Sequence, residues 1–156
     1  MLEKIVSGAQ NGADQAGLRA AKACGLQTGG WIPNGCKTLD GPRFDLLLEY
    51  GLTEHASSAY PPRTEANVCI ADATIRFASN FKSAGEKCTL RAIKWFKKLY
   101  LDIDIKNPLS VEEVVDWIKD NDFKVLNIAG NSEDTSTGIG EFVENYLKEV
   151  FSKCLA

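Results

Sequence analysis

Apolar residues recur at helical spacing in four parts of the chain. The longest stripe runs from Ile139 to Phe151 at i, i+3, i+4 and i+7 spacing, which predicts an amphipathic helix against a sheet. Another helix begins at Ser110, with Glu113 at the capping-box position, and ends at Asn121. Two more helices are predicted over Ala13 to Cys24 and over about Gly85 to Lys98.

Short β-like runs alternate with these helices. They lie at Lys4 to Ser7, Leu26 to Thr28, Ala73 to Ala78, Leu99 to Ile103 and Lys124 to Ala129. Strands that alternate with helices form right-handed βαβ units. We therefore predict a single α/β domain over residues 1–156, in which helices flank a mainly parallel sheet in three layers.

The segment from Gly29 to Asn67 departs from this alternation. It is rich in Gly, Pro, Asp and Arg, and it shows no sustained period beyond a short helix predicted at Asp45 to Tyr50. A long irregular segment in a compact domain is usually a binding loop or a lid. We interpret this segment in that way.

Polar, glycine-rich segments follow most of the predicted strands. The carboxyl ends of parallel strands share one edge, so these segments face a single crevice. Glycine admits a ligand close to the backbone, and hydroxyls, amides and helix N-terminal N–H groups bind anions. Turns and caps explain such residues in any one loop, but several loops at one edge favour a phosphate site. The segments are Ser7 to Gly12, Gly29 to Trp31, Ser79 to Asn80, Ser83 to Gly85, Gly130 to Ser132 and Thr137 to Gly140.

Composition narrows the class of partner. Of 156 residues, 44% are hydrophobic and 25% charged, and the formal net charge is -3 with basic residues scattered, which argues against nucleic acid. Five cysteines without Cys-x-x-Cys spacing indicate reduced thiols. No apolar run approaches the ~20 residues of a membrane helix. We expect a cytoplasmic protein that binds a small molecule and no membrane.

Familiar catalytic motifs are incomplete in this chain. Gly30 to Thr38 is one residue too long for a Walker A loop, and the first loop lacks G-x-G-x-x-G spacing. His55 is the sole histidine and has no nucleophile motif beside it, and His and Cys do not cluster at metal-ligand spacing. The sequence therefore assigns no catalytic residue and no metal ligand.

Two side chains in the irregular segment have both a binding and a structural interpretation. Arg63, with Thr64, follows the stiff Tyr60-Pro-Pro62 and can bind phosphate or carboxylate with two hydrogen bonds, or form a surface salt bridge. Trp31 can stack on a flat heterocycle or lie half-buried in the core.

A family resemblance is carried by Ser7-Gly-Ala-Gln-Asn-Gly-Ala-Asp-Gln-Ala-Gly-Leu18, Gly29-Gly-Trp-Ile-Pro33, Asp40-Gly41, Tyr60, Arg63-Thr-Glu-Ala-Asn-Val68 and Asp72-Ala-Thr74, and it continues in Asn127 to Gly130 and in Thr137 to Ile139. In content and order these residues resemble the putative molybdenum carrier family, over nearly the whole chain. The resemblance implies a Rossmann-like fold, similar to molybdenum cofactor carriers and to the SLOG superfamily with its lonely-guy nucleotide hydrolases. It also implies a homo-oligomer, either a dimer or a tetramer.

The chain also departs from this family. Where Ser-x-Gly-Thr is expected, it reads Ser83-Ala-Gly-Glu86, which puts a negative charge at the start of a helix. Gly130 to Glu133 stands where an arginine-bearing loop is expected. The Pro-Gly-Gly-x-Gly-Thr-x-x-Glu signature of the lonely-guy hydrolases is missing, so hydrolase activity does not carry over.

The ligand that the resemblance implies is a phosphorylated heterocycle, either the molybdenum cofactor or a related pterin phosphate, with a nucleotide as the alternative. The metal would arrive on the pterin's own sulfurs. In this interpretation the first loop cradles phosphate, Gly29, Gly30 and Trp31 admit the ring, and Arg63 with Thr64 binds an anionic group. The predicted binding residues are Gly8, Gln10, Asn11, Gly12, Asp14, Gly29, Gly30, Trp31, Arg63, Thr64, Asn67, Asp72, Thr74, Ser83, Gly85, Gly130, Asn131 and Ser132.

Two other functions use the same crevice. A nucleotide N-glycosidic hydrolase would employ a carboxylate such as Glu65 or Asp72 as acid or base and would release a free base. A nucleotide-sensing module would bind tightly without turnover.

Overall fold

The computed structural model describes all 156 residues. The helices are α1 (Ala13–Ala23), α2 (Asp45–Tyr50), α3 (Tyr60–Ile70), α4 (Ala84–Trp95), α5 (Val111–Asp120) and α6 (Ile139–Leu155), with a 3-10 turn at Asn34–Cys36. The strands are β1 (Lys4–Val6), β2 (Gln27–Gly29), β3 (Trp31–Ile32), β4 (Lys37–Thr38), β5 (Gly41–Pro42), β6 (Thr53–Glu54), β7 (Ala73–Ala78), β8 (Leu99–Asp104) and β9 (Val125–Gly130).

Five strands form one parallel sheet in the order β2-β1-β9-β7-β8. The last strand, β9, therefore lies at the centre, with Leu126 level with Ile5 of β1 and Ile128 level with Ile75 of β7. If β9 preceded β1 in the chain, the order would be 3-2-1-4-5, which is that of doubly wound sheets. The predicted three-layer Rossmann-like architecture is confirmed, with its strand order circularly shifted.

The two faces of this sheet differ in polarity. Successive side chains along β7 and along β9 point to opposite faces of the sheet. Phe77 and Ile128 belong to a core of 23 buried residues shared with α1, α5 and α6. Thr74 and Asn127 are buried on the other face, towards α3 and α4, where the apolar cluster has only three members. A polar face leaves room for a cavity beneath these two helices.

The segment from Gly29 to Asn67 is more ordered than its composition predicts. It contains the predicted α2, but also α3 and two small two-stranded sheets, β3 with β6 and β4 with β5. The interpretation of Arg63 as a loop residue is therefore wrong, because Arg63 lies in the first turn of α3. Pro61 and Pro62 are the overlooked signal, since proline is favoured at the first positions of a helix.

No helix combines the length and the apolar character that crossing a membrane requires.

Candidate functional site

A cavity of about 490 Å³ opens at the carboxyl edge of the central sheet, between α3, the start of α4 and the loops after β1 and β9. Its size is typical of small-molecule sites. The connection from β1 leads to one end of the sheet and the connection from β7 to the other, with β9 between them. The cavity thus occupies the topological switch point, where open α/β sheets bind ligands.

Arg63 is the one basic side chain among the cavity-lining residues. Its Nη1 lies 3.6 Å from Oδ2 of Asp14, with side chains 13% and 7% exposed, and its guanidinium sits 5.4 Å from the centroid of the Tyr60 ring. A Cβ at position 8 would overlap that guanidinium, so Gly8 permits its approach. Nε of Arg63 is buried and has no hydrogen-bond partner.

Asp14 places a second charge at the cavity wall. Burial raises the pKa of Asp14 to about 6, against the lowering effects of Arg63 and of the Gln10 backbone N–H, which donates to Oδ2 at 3.3 Å. The start of α1 therefore already holds a carboxylate. A phosphate bound to these first amides would meet that charge.

Asn11 and Gly12, in the rest of the first loop, contact neighbouring loops of the protein. Asn11 donates through Nδ2 to both carboxylate oxygens of Asp40 at 3.2 Å and accepts the Glu133 N–H at 3.1 Å. At Gly12, a Cβ would lie 2.5 Å from the Asn131 carbonyl oxygen. Phosphate binding was predicted for Gly8, Gln10, Asn11 and Gly12 of this loop, and of these only Gly8 and Gln10 line the cavity.

Gln10 presents an acceptor that the protein leaves unused. Its Nε2 donates to the carbonyl oxygens of Gly8 at 3.3 Å and Lys37 at 3.0 Å. Because both partners are carbonyls, the orientation of the amide is determined. Oε1 is then directed away from them, buried and without a partner.

The start of α4 forms another wall. Ser83 caps the helix, its Oγ accepting the Glu86 N–H at 3.3 Å, while no protein acceptor is assigned to the backbone N–H groups of Ala84 and Gly85. Ser83, Ala84 and Gly85 all line the cavity. Free N–H groups at a helix N-terminus bind anions.

Glu86 lines the same wall and is only 3% exposed. Burial raises the pKa of Glu86 to about 7, with Asp14 adding to the rise and Arg76 opposing it. Its Oε1 has no hydrogen-bond partner. Beneath Glu86, Arg76 pairs with Asp102, and its Nε and Nη2 donate to the two Asp102 carboxylate oxygens at 2.7 and 2.6 Å.

Three asparagines at the site differ in role. Asn67 clamps the backbone of Trp31, and Asn131 accepts the N–H groups of Ser79 and Asn80, so both hold loops in place. Asn127 donates to Thr74 Oγ1 at 3.2 Å and leaves Oδ1 without a partner. Thr74 itself lies behind Asn127 and outside the cavity lining.

All of the buried side-chain polar atoms without a partner belong to residues of this cavity. They are Gln10 Oε1, Arg63 Nε, Glu86 Oε1 and Asn127 Oδ1. Each such atom costs roughly 1–3 kcal/mol unless a partner is supplied. Their concentration in one place makes this cavity the candidate site for a polar ligand.

The structure brings together many of the sequence-predicted residues but not all of them. Trp31 packs edge-on against His55, with ring centroids 5.6 Å apart. Gly29 lies against Lys4, and Gly30 lies against Ser7. Neither Trp31 nor these glycines lines the cavity. The predicted residues that do line it are Gly8, Gln10, Asp14, Arg63, Thr64, Asn67, Ser83, Gly85, Gly130, Asn131 and Ser132.

Asp72 lies at the opposite end of the sheet. It accepts the N–H groups of Lys124 and Val125, at the entrance to β9, at 2.8 and 2.9 Å. Glu65 is exposed and also outside the cavity. The hydrolase hypothesis therefore loses both carboxylates suggested for it.

Sequence reasoning left Glu86 and Asn127 out of the predicted site. Asn127 alternates with Leu126 and Ile128 in a buried strand, and a lone amide in such a run is a usable signal. For Glu86 the sequence holds no comparable signal, because Ser83-x-x-Glu86 reads as an ordinary helix start.

Comparison with known proteins identifies the family and a similar fold. A family model described as the circularly permutated YpsA SLOG family matches residues 5–151. The crystal structure of a putative molybdenum carrier protein from Syntrophus aciditrophicus SB is similar at a TM-score of 0.85 and 32% identity, covering 96% of this chain and 94% of that one. No curated protein matches the chain.

Proposed function

The chain belongs to the circularly permutated YpsA SLOG family, and on that premise we propose that its cavity binds and carries a phosphorylated heterocycle. The observation that carries this proposal is the set of four unpartnered polar atoms around one cavity. The name of the similar structure points to a molybdenum-bearing ligand. The ligand that we favour is accordingly the molybdenum cofactor or a related pterin phosphate.

The two ends of such a ligand find different partners. The phosphate end meets Arg63 Nε and the free N–H groups of Ala84 and Gly85, where the helix dipole adds partial positive charge. The ring end meets the acceptors of Gln10 and Glu86. One arginine balances a phosphomonoester better than a polyphosphate, because Asp14 and Glu86 add negative charge nearby.

Molybdenum is cargo in this proposal. No group of three or more His, Cys, Asp and Glu side chains is placed to hold a metal ion. The metal would therefore enter and leave on the ligand's own sulfurs, and the protein would hold the organic part.

Ligand binding is tested by native mass spectrometry of freshly purified protein, followed by thermal shift with 6-hydroxymethylpterin monophosphate, GMP and AMP. A ligand at 100 times its Kd stabilises a fold by ~2.7 kcal/mol. We expect the pterin phosphate to raise Tm and Arg63→Met to abolish the rise. Lys153→Met, which removes a surface ion pair with Glu112 outside the cavity, is the matched control that keeps it.

Other outcomes decide against this function. Turnover of AMP without pterin binding would favour the hydrolase, and tight AMP binding without turnover would favour a nucleotide sensor. No shift with any of the three compounds would leave the cavity without this role.

The resemblance also implies a homo-oligomer, and this stays a prediction. Size-exclusion chromatography with light scattering distinguishes a monomer from the expected dimer or tetramer.

A further inference from the structure

Glu86 is a buried carboxylate that the phosphate contacts leave unexplained. It lies one residue beyond the two free N–H groups of α4 and is 3% exposed. A glutamate at this position of a helix can turn back and bind the backbone of its N-cap residue. Instead, the side chain lines the cavity, and Oε1 is buried without a partner.

The charged groups around Glu86 do not neutralise it. Arg76 of β7 donates through Nη1 to the Glu86 backbone carbonyl at 2.9 Å, and its other nitrogens serve Asp102 of β8. Arg63 of α3 is the ion-pair partner of Asp14 of α1. Both guanidinium groups are thus engaged with other carboxylates. Asp14 and Asp102 make the ionised form of Glu86 still less favourable, whereas the charge of Arg76 and the side-chain amide of Asn131 favour it, and burial outweighs them.

A buried carboxylate in this setting needs donors. Gln10 adds a second acceptor with a determined orientation on the same cavity. A metal ion does not fit, because no group of three or more His, Cys, Asp and Glu side chains is placed to hold one. Neutral N–H groups do fit, and two parallel N–H groups match the two oxygens of a carboxylate.

We propose that Glu86 selects the ring of the ligand: its carboxylate accepts the adjacent ring N–H and 2-amino groups of an amino-oxo heterocycle, while Gln10 Oε1 accepts a further N–H. Pterin and guanine carry this edge. A dioxo ring places an oxygen where the amino group should be, and that oxygen faces the carboxylate. The inference rests on the proposed function and specifies the chemical class of ring that the site takes.

The test compares 6-hydroxymethylpterin monophosphate with its lumazine counterpart, which differs in having an oxo group in place of the 2-amino group. Isothermal titration at pH 7.5 should show at least tenfold tighter binding of the pterin, since a site that binds a donor rejects the analogue lacking it. Glu86→Gln should weaken pterin binding about tenfold and bring the two affinities together. Glu113→Gln, in the matching position of α5, should leave both affinities unchanged.

A pH series adds a readout that general loss of packing would not reproduce. Protonation of Glu86 replaces one acceptor by a donor, so the wild-type preference for the pterin should shrink as pH falls from 7.5 to 5.5. In Glu86→Gln the preference for the pterin over the lumazine compound should not change with pH. Equal binding of the two compounds by the wild type overturns this inference and leaves the proposed function standing. Absence of binding by either overturns both.

Discussion

Helices α4 and α5 begin with the same pattern, a serine N-cap followed three residues later by a glutamate. At α5 the capping box is complete: Ser110 Oγ accepts the Glu113 N–H at 3.2 Å, and Glu113 Oε2 accepts the N–H and O–H of Ser110 at 2.8 and 2.9 Å. At α4 only the first half forms, with Ser83 accepting the Glu86 N–H at 3.3 Å. The second half is replaced by a carboxylate turned into the cavity.

The pKa values of the two glutamates move in opposite directions. Hydrogen bonds from Ser110 lower the pKa of exposed Glu113, whereas burial raises the pKa of Glu86 to about 7. The same local sequence thus stabilises one helix end and leaves the other with an unsatisfied charge. Glu86 is therefore placed for something other than helix capping, and its perturbed pKa and its position in the cavity are typical of a binding site at that end of α4.

The largest expected difference in stability is between two ion pairs, Arg63–Asp14 at the cavity and Lys153–Glu112 at the start of α5. Arg63→Met leaves Asp14 buried without its partner and should lower the free energy of unfolding by about 3 kcal/mol near pH 8. Asp14 has a folded pKa raised from 3.8 to about 6, so its ionisation opposes folding, and the deficit should shrink towards pH 5 as Asp14 protonates. Urea unfolding at both pH values measures it.

Lys153→Met is the control at α5. Its partner Glu112 is exposed, and a surface ion pair contributes little. Equal losses from Arg63→Met and Lys153→Met would show that the cavity pair is no more buried in solution than the surface pair.

Replacing each of the two glutamates by glutamine should change the free energy of unfolding in opposite directions. The folded pKa of Glu86 lies above its ordinary 4.5, so this group contributes stability at low pH that is lost as pH rises from 4.5 through about 7. That shift corresponds to roughly 3 kcal/mol, and burying an amide in its place costs about 1. Glu86→Gln should therefore stabilise the fold by about 2 kcal/mol near pH 8, and near pH 4, where Glu86 is neutral, it should destabilise the fold by about 1 kcal/mol.

Glu113→Gln should act in the opposite direction. Its folded pKa is lowered, so the stability it contributes is present above the ordinary pKa and is lost on acidification. Thermal unfolding of both variants across pH 4 to 8 gives the comparison. Parallel pH profiles would mean that Glu86 turns out to solvent.

The smallest effect concerns the serines. Ser110→Ala removes the acceptor for the Glu113 N–H and the hydroxyl that Glu113 binds, and should cost about 1 kcal/mol. Ser83→Ala removes one cap bond and should cost about half as much. Chemical denaturation resolves the two, and a larger cost at Ser83 would indicate that α4 also has a closed capping box.

Much of the fold follows from periodicity. The apolar stripe of α6, the alternation of strands and helices and the Ser110 cap all predict the structure, because each is a local pattern with one packing solution. Helix α3 escaped prediction, since its sequence has no clear apolar face and only Val68 is a fully buried aliphatic residue. Because α3 was not predicted, Arg63 was expected in a loop and not in a helix.

The candidate site divides along a similar line. Gly8, the loop at Ser83 to Gly85 and the loop after β9 could be assigned to one edge from the alternation of strands and helices alone, as parallel topology requires. The same rule brought in Trp31, which the structure instead packs against His55. Adjacent residues on a strand face opposite ways, so the rule identifies the edge but not the direction of each side chain.

Hydrophobic period and helix caps are properties of neighbouring residues, so the parallel α/β sheet and the polar loops collected at one of its edges follow from local sequence. What those loops do depends on the tertiary fold. It placed β9 at the centre of the sheet, closed the start of α1 with Asp14, and turned Glu86 inward while Glu113 stayed out. These outcomes depend on contacts between residues far apart in the chain, which no local pattern encodes.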